Sequence, residues 1–204
     1  MKLYYSPGAC SLSPHIALEE AGLKYDAIKV DLKAKKTETG DDFYPINPKG
    51  KVPFLTIDSG DRLSEGAAIV QYIADQAPAS KLAPANGTIE RYHLQEWLNF
   101  VSTELHKGFS PLFNSASTED AQNAARTNIV KQFTYVDGQL AGKDYLMGNQ
   151  FTVADGYLFT ILRWADGKHI DISSLKNLTA YKARVAARPH VKATLLAEGL
   201  IKAT

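Results

Sequence analysis

The sequence predicts an α/β domain of about eighty residues followed by an all-helical domain. Three observations predict this. Two strand-like runs near the start flank an amphipathic helix, a βαβ unit. A stretch over residues 76–87, with two prolines, a glycine and no regular period, interrupts the pattern. The periodic segments beyond it carry apolar residues at helical spacing.

The first eighteen residues organise the chain. Residues 2–5 read as a strand, and Ser6, Pro7 and Gly8 form a turn cluster in which Gly8 is free to take positive φ. Ser11 to Ser13 supply capping hydroxyls, and Pro14 suits a first helical turn, where its missing N–H is not needed. Pro14, Ala17, Leu18 and Ala21 then fall at i, i+3, i+4 and i+7. Cys10, the single cysteine, sits where the strand hands over to the helix. Exposed N–H groups and the helix dipole favour an anion there, so the thiol is expected to lose its proton more easily.

Residues 25–32 alternate like a half-buried strand parallel to the first. Residues 33–42 are charged and predict a solvated loop or a short irregular helix. A turn over 47–50 leads to a strand at 54–57, a hairpin turn at 58–61 and a brief strand at 62–64. Ser64 is expected to cap a helix bearing Ala68, Ile69, Tyr72 and Ile73 on one side. The order is βαβ–loop–ββα. The division expected is 1–80, a linker over 81–87, and 88–204. In the second part, Leu94, Trp97, Leu98, Val101 and Leu105 make an apolar face, with Gln95, Asn99, Ser102 and His106 as a polar stripe on the same helix. Ala125, Ile129, Phe133, Val136 and Leu140 mark a second long helix. Thr152 and Asp155 form a capping box before an unusually apolar helix. Two final helices are expected over 174–187 and 189–198.

Composition narrows the function classes. The chain has 204 residues, enough for two small cores, and a net charge of +1 that gives no electrostatic case for nucleic acid or an anionic membrane surface. One cysteine excludes an internal disulfide and a CxxC pair, and fits a reducing compartment, so cytoplasmic residence is expected. No leader-like pattern opens the chain, and no apolar run is long enough to span a bilayer. No metal-ligand spacing stands out.

Each candidate site has a functional and a plain reading. Cys10 is a reactive thiol at a helix start or a small buried hydrophobe. Val52-Pro53 is a cis bond that turns the Val52 backbone outward to pair with an extended peptide, or an ordinary trans bond opening a strand. Ser64, Glu65 and Gly66 receive a carboxylate and an ammonium, or simply cap a helix. Lys33, Lys35 and Lys36 hold a further carboxylate, or are solvated surface. The stripe ending at His106 faces a cleft or faces water. Tyr5, Phe109, Phe113, Tyr157 and Trp164 line an apolar pocket or are core. Taken together, the functional readings converge on a peptide with a free amino-acid head, a pairing backbone and a carboxylate tail, beside a thiol. Glutathione has that shape.

With these residues in view, the sequence resembles the glutathione transferases, and most of all the bacterial beta class. The resemblance runs over nearly the whole chain, through Tyr5-Ser-Pro-Gly-Ala-Cys10-Ser11, residues 35–42, 47–53 and 65–69, then 151–155 and Arg188-Pro189. It implies a thioredoxin-like N-terminal domain (βαβ–α–ββα), an all-α C-terminal domain and a homodimer. It implies that Cys10 lies beside the glutathione sulfur and can form a mixed disulfide with it. Val52, before a cis Pro53, would pair with the cysteinyl unit, Glu65 and Gly66 would hold the γ-glutamyl head, and Lys35 would meet the glycine carboxylate. Asn99, Thr103, Glu104, Leu105 and His106 would complete the site, part of it from the neighbouring subunit. Thr152 and Asp155 would be the family's buried capping box. Two positions depart from the pattern. Gly66 replaces a common serine and loses one hydrogen bond, about 1 kcal/mol net. Gly156 removes the usual hydrophobic staple to Phe151.

The reading expected is a transferase that conjugates the glutathione thiolate to hydrophobic electrophiles without a metal. Cys10 and His106 would serve the thiolate, with Tyr5 as a second choice of hydroxyl donor. The alternatives are a glutathione-dependent thiol–disulfide reductase or peroxidase, and a non-catalytic binding protein.

Overall fold

A computed structural model describes residues 1–202. It has two compact units: Met1–Ala83 together with the chain from Arg188 onward, and Pro84–Ala187.

In the first unit, β1 (Lys2–Tyr5), α1 (Leu12–Ala21) and β2 (Asp26–Asp31) form the expected βαβ unit with β1 and β2 parallel. The charged stretch after β2 turns at once, because the Asp31 carboxylate accepts the N–H groups of Lys33 and Ala34. The chain then returns as β3 (Lys36–Thr37), antiparallel to β2. Of the two readings of 33–42 the structure is nearer the loop, with turns around β3 and no short helix, and the helix implied before the next strand does not form either. β4 (Phe54–Thr56) is antiparallel to β1 and pairs with β5 (Arg62–Ser64), giving the mixed order β3-β2-β1-β4-β5 of a thioredoxin-like sheet. α2 (Gly66–Gln76) follows, with Glu65 and not Ser64 at the N-cap position. Ser64 closes β5, and its hydroxyl accepts from Lys49 Nζ at 2.9 Å.

Tyr4, Val30, Phe43, Val52 and Phe54 build a core on one face of this sheet. Leu3 and Leu55, pointing the other way by strand alternation, are fully buried on the side where α1 and α2 pack. The sequence pattern marks one apolar face on α1, yet all seven residues from Leu12 to Leu18 are buried. The reason is α8 (Pro189–Ala197), which packs against α1 as α2 does. Arg188 clasps Glu20 with two bonds of 2.7 Å. The last helix, grouped by sequence order with 88–204, therefore belongs to the sheet-bearing unit. Ser11 does not cap α1; its hydroxyl bonds both the N–H and the C=O of Ser6, which fixes the turn before Cys10. The Ser13 hydroxyl is buried without a partner among the described residues.

The second unit is helical: α3 (Ile89–Phe100), α4 (Ser110–Phe113), α5 (Glu119–Gln139), α6 (Val153–Gly167) and α7 (Lys176–Ala186). Thr88 and Thr118 cap α3 and α5 through their hydroxyls. Over Val101–His106 the helix widens into a π-helical stretch, so a stripe drawn at 3.6-residue spacing does not continue straight to His106. α6 is buried over most of its length. Its capping box forms: Asp155 Oδ2 takes the Thr152 N–H at 2.8 Å and the Thr152 hydroxyl at 2.9 Å. Oδ1 takes the Leu146 N–H at 2.8 Å and the Tyr181 hydroxyl at 3.1 Å. Gly156 is buried beside it, and the box stands without the staple.

Candidate active site

In the first unit the site is built around the loop that joins β1 to α1. Its turn is set by Ser11 on Ser6 and by Gly8 at φ +71°, whose N–H is received by Glu198 at 2.8 Å. Cys10 follows. Its thiol donates to the Val52 carbonyl at 3.2 Å. The Val52-Pro53 bond is cis. A Cβ placed on Gly66 would lie 3.8 Å from the Pro53 ring, so the start of α2 rests on the same segment. Glu65 takes φ +69°, a backbone region that non-glycine residues rarely occupy and that collects at functional sites. Its carboxylate is met by Lys49 Nζ at 2.8 Å on the exposed surface. Cys10, Val52, Pro53, Glu65 and Gly66 thus form one contiguous group.

The thiol does not behave as the helix-start argument expects. Cys10 keeps part of its surface exposed, but burial of the sulfur pushes the thiol up to about 11. The N–H groups of Cys10 and Ser11 and the Lys51 ammonium act the other way, Glu65 adds to the rise, and burial wins. Ligand-free Cys10 is a protonated hydrogen-bond donor. Burial, with the Glu198 and Glu38 carboxylates, also raises Tyr5. The Tyr5 ring lies 5.3 Å from that of His15.

Lys35 lies at the edge of this unit, with φ +56°. Its ammonium donates to the Gly50 carbonyl at 2.8 Å, beside the Gly50-Lys51-Val52 run. A larger residue at Gly50 would be strained: it sits at φ +59°, and a Cβ would come within 2.8 Å of the Tyr44 ring.

In the second unit, His106 ends the π-helical stretch, and its Nδ1 lies 2.7 Å from the Tyr157 hydroxyl. The Trp164 ring stands edge-on to His106 at 5.0 Å, to Phe109 at 5.5 Å and to Phe113 at 5.0 Å. Of the expected pocket residues, Phe109, Phe113, Tyr157 and Trp164 lie around His106 in the second unit with different roles, while Tyr5 lies in the first unit against His15. Phe109 and Tyr157 are buried and belong to the core, Trp164 is half-buried, and Phe113 is 53% exposed. Asn99 is exposed at the end of α3, where its carbonyl accepts from the Thr103 hydroxyl at 3.1 Å. Glu104 is exposed and also accepts from that hydroxyl, while Leu105 is buried in the core.

Sequence reasoning missed Lys49, Glu198 and His15. Lys49 lies in a turn read only as a turn, two residues from Asn47, whose amide bonds the Lys51 carbonyl. Glu198 and His15 are buried polar groups 183 residues apart, and no local pattern links them. Among the described residues, no group of His, Cys, Asp and Glu could hold a metal ion, and no helix is long and apolar enough to cross a membrane.

Known proteins with this architecture share the sequence as well. Residues 8–76 match the glutathione S-transferase N-terminal domain and residues 100–189 the glutathione S-transferase C-terminal domain. Glutathione S-transferase GstA of Escherichia coli O157:H7 is 46% identical, over 98% of this chain and 100% of its own. The chain belongs to the glutathione S-transferase family, and it is an enzyme of that family. A ternary complex of BphK, a bacterial transferase, superposes with a TM-score of 0.96 at 55% identity, covering 98% of this chain and 100% of that one. A bacterial beta-class transferase of Sphingomonas chungbukensis does so with 0.95 at 52% identity and the same coverage. Within the family, the chain falls in the bacterial beta class.

Proposed function

We propose that this transferase binds glutathione in its first unit and conjugates the tripeptide's sulfur to hydrophobic electrophiles. The contiguous group formed by Cys10, Val52, Pro53, Glu65 and Gly66 carries the proposal: the thiol bonds the Val52 carbonyl, Pro53 follows in cis, and the start of α2 rests on the Pro53 ring. Val52 pairs with the cysteinyl backbone, Glu65 receives the γ-glutamyl ammonium in place of Lys49, the Gly66 N–H receives the head carboxylate, and Lys35 serves the glycine carboxylate. A sphingomonad glutathione S-transferase solved in complex with glutathione, 51% identical, supports this ligand.

The protonated Cys10 thiol favours a donor role. Its S–H hydrogen-bonds the glutathione thiolate and so lowers the free energy of the charged sulfur. The thiolate attacks the electrophilic carbon, a C–S bond forms, and the leaving group departs with its electron pair. The proton lost from glutathione passes to solvent. The same donor role argues for conjugation over thiol exchange. Exchange remains as the second reading: a deprotonated Cys10 attacks oxidised glutathione, forms a mixed disulfide and expels glutathione thiolate.

We also assign to the enzyme, on the resemblance, contributions from Asn99 and from Thr103 to His106, a homodimeric state and cytoplasmic residence. Calorimetric titration with glutathione, followed by steady-state conjugation of chlorodinitrobenzene, tests the central claim. Binding with turnover is expected. Absence of heat from folded protein would overturn it, and tight binding without turnover would favour a storage protein.

A further inference from the structure

Lys168 lies just past the end of α6, half-buried. Its ammonium donates to the Leu112 carbonyl at 2.9 Å, in the last turn of α4. It also stands 4.4 Å from the centre of the Phe113 ring. Its own carbonyl accepts from Arg126 Nε at 3.3 Å, which fixes this segment against α5. Other cations of the helical unit are neutralised by carboxylates: Lys182 by Asp166, Arg184 by Asp144. Among the described residues, no carboxylate lies within ion-pair distance of Lys168.

An ammonium has three donors. One is spent on Leu112, and the charge also leans on the Phe113 ring. The two remaining donors belong to an ammonium beside Phe113, at the exposed end of the aromatic row formed by Phe113, Trp164 and His106. Phe113 is 53% exposed, so a flat ring can stack on its open side while an anionic group on that ring reaches the unpaired charge. We propose that Lys168 makes this end of the row a subsite for flat aromatic electrophiles bearing a carboxylate or similar anion. The assignment rests on the conjugating activity proposed above, but it can be tested apart from it.

Dinitrobenzoate, which lacks a leaving group, and neutral dinitrobenzene are the binding probes. Their dissociation constants for the glutathione-loaded enzyme are read by equilibrium dialysis. The wild type is expected to prefer the carboxylate by about five- to tenfold, Lys168→Met to lose that preference, and Lys168→Arg to keep most of it. The ratio of kcat/KM for chlorodinitrobenzoate over chlorodinitrobenzene should follow the same order. No preference in the wild type, or a preference that survives Lys168→Met, would overturn the subsite. An equal weakening of both probes in Lys168→Met would overturn it too, leaving Lys168 as a structural tie for α4. A preserved binding preference with no turnover of either chloro compound would instead sink the conjugation reading and leave the subsite standing.

Discussion

The Glu198 carboxylate takes the Gly8 N–H at 2.8 Å, and its other oxygen lies 2.8 Å from His15 Nδ1. Both side chains are buried, so neither bond is exchanged for water. The end of α8 thus holds the loop two residues ahead of Cys10. Glu198→Ala removes the acceptor of the Gly8 N–H and takes the carboxylate from the buried His15 imidazole. It is expected to cost about 3 kcal/mol in urea unfolding and to lower kcat for conjugation. Glu198→Gln keeps one acceptor and should cost less than half as much. Equal stability of the alanine variant and the wild type would refute the clamp.

Cys10 should alkylate slowly. Its thiol is pushed up to about 11, so the thiolate fraction at neutral pH is small. The rate with iodoacetamide is expected to keep climbing from neutral pH to about 10 without levelling. A plateau near neutrality would mean that the helix start, not burial, governs the sulfur.

Lys49 pairs with the Glu65 carboxylate, the group proposed to receive the glutathione ammonium. Lys49→Ala removes this competing ion pair. An exposed ion pair contributes up to about 1 kcal/mol, so KM for glutathione should fall by up to about fivefold with kcat unchanged. A rise in KM would show that Lys49 itself holds the ligand.

Asp155 gives a pH signature. Burial raises its carboxyl to about 6 from 3.8, against the four donors around it. Folding therefore favours the protonated form. The added stability is complete below pH 3.8 and is lost as pH climbs through about 6. Asp155→Asn cannot titrate, so the stability gap between wild type and variant should shrink as pH rises from about 4 to about 7. Urea unfolding at both ends measures it, and a gap that widens would reverse the sign.

Most of the architecture was legible because it is written in local periods. The strand at 54–57, the helix carrying Ile69 and Ile73, and the box at Thr152 and Asp155 each follow from neighbours a few residues apart. The departures share a cause: distant parts of the chain decide them. Residues around 36 become an edge strand only because β2 is there to pair with. The buried outer side of α1 depends on α8. Cys10 was placed correctly by the turn and helix signals, but its proton affinity was not. The helix-start argument counts N–H groups and dipole, and it cannot count the atoms that later close over the sulfur. The widened turn over Val101–His106 carries no residue pattern that marks it.

Because α8 completes the sheet-bearing unit, the order of synthesis runs against the order of completion. The strands around Cys10 leave the ribosome before the helical unit, yet their packing partner α8 leaves after it. The stretch from Pro84 to Ala187 is unbroken and can close on itself while the nascent chain still grows. The surroundings of Cys10 are thus closed only after the helical unit has been made.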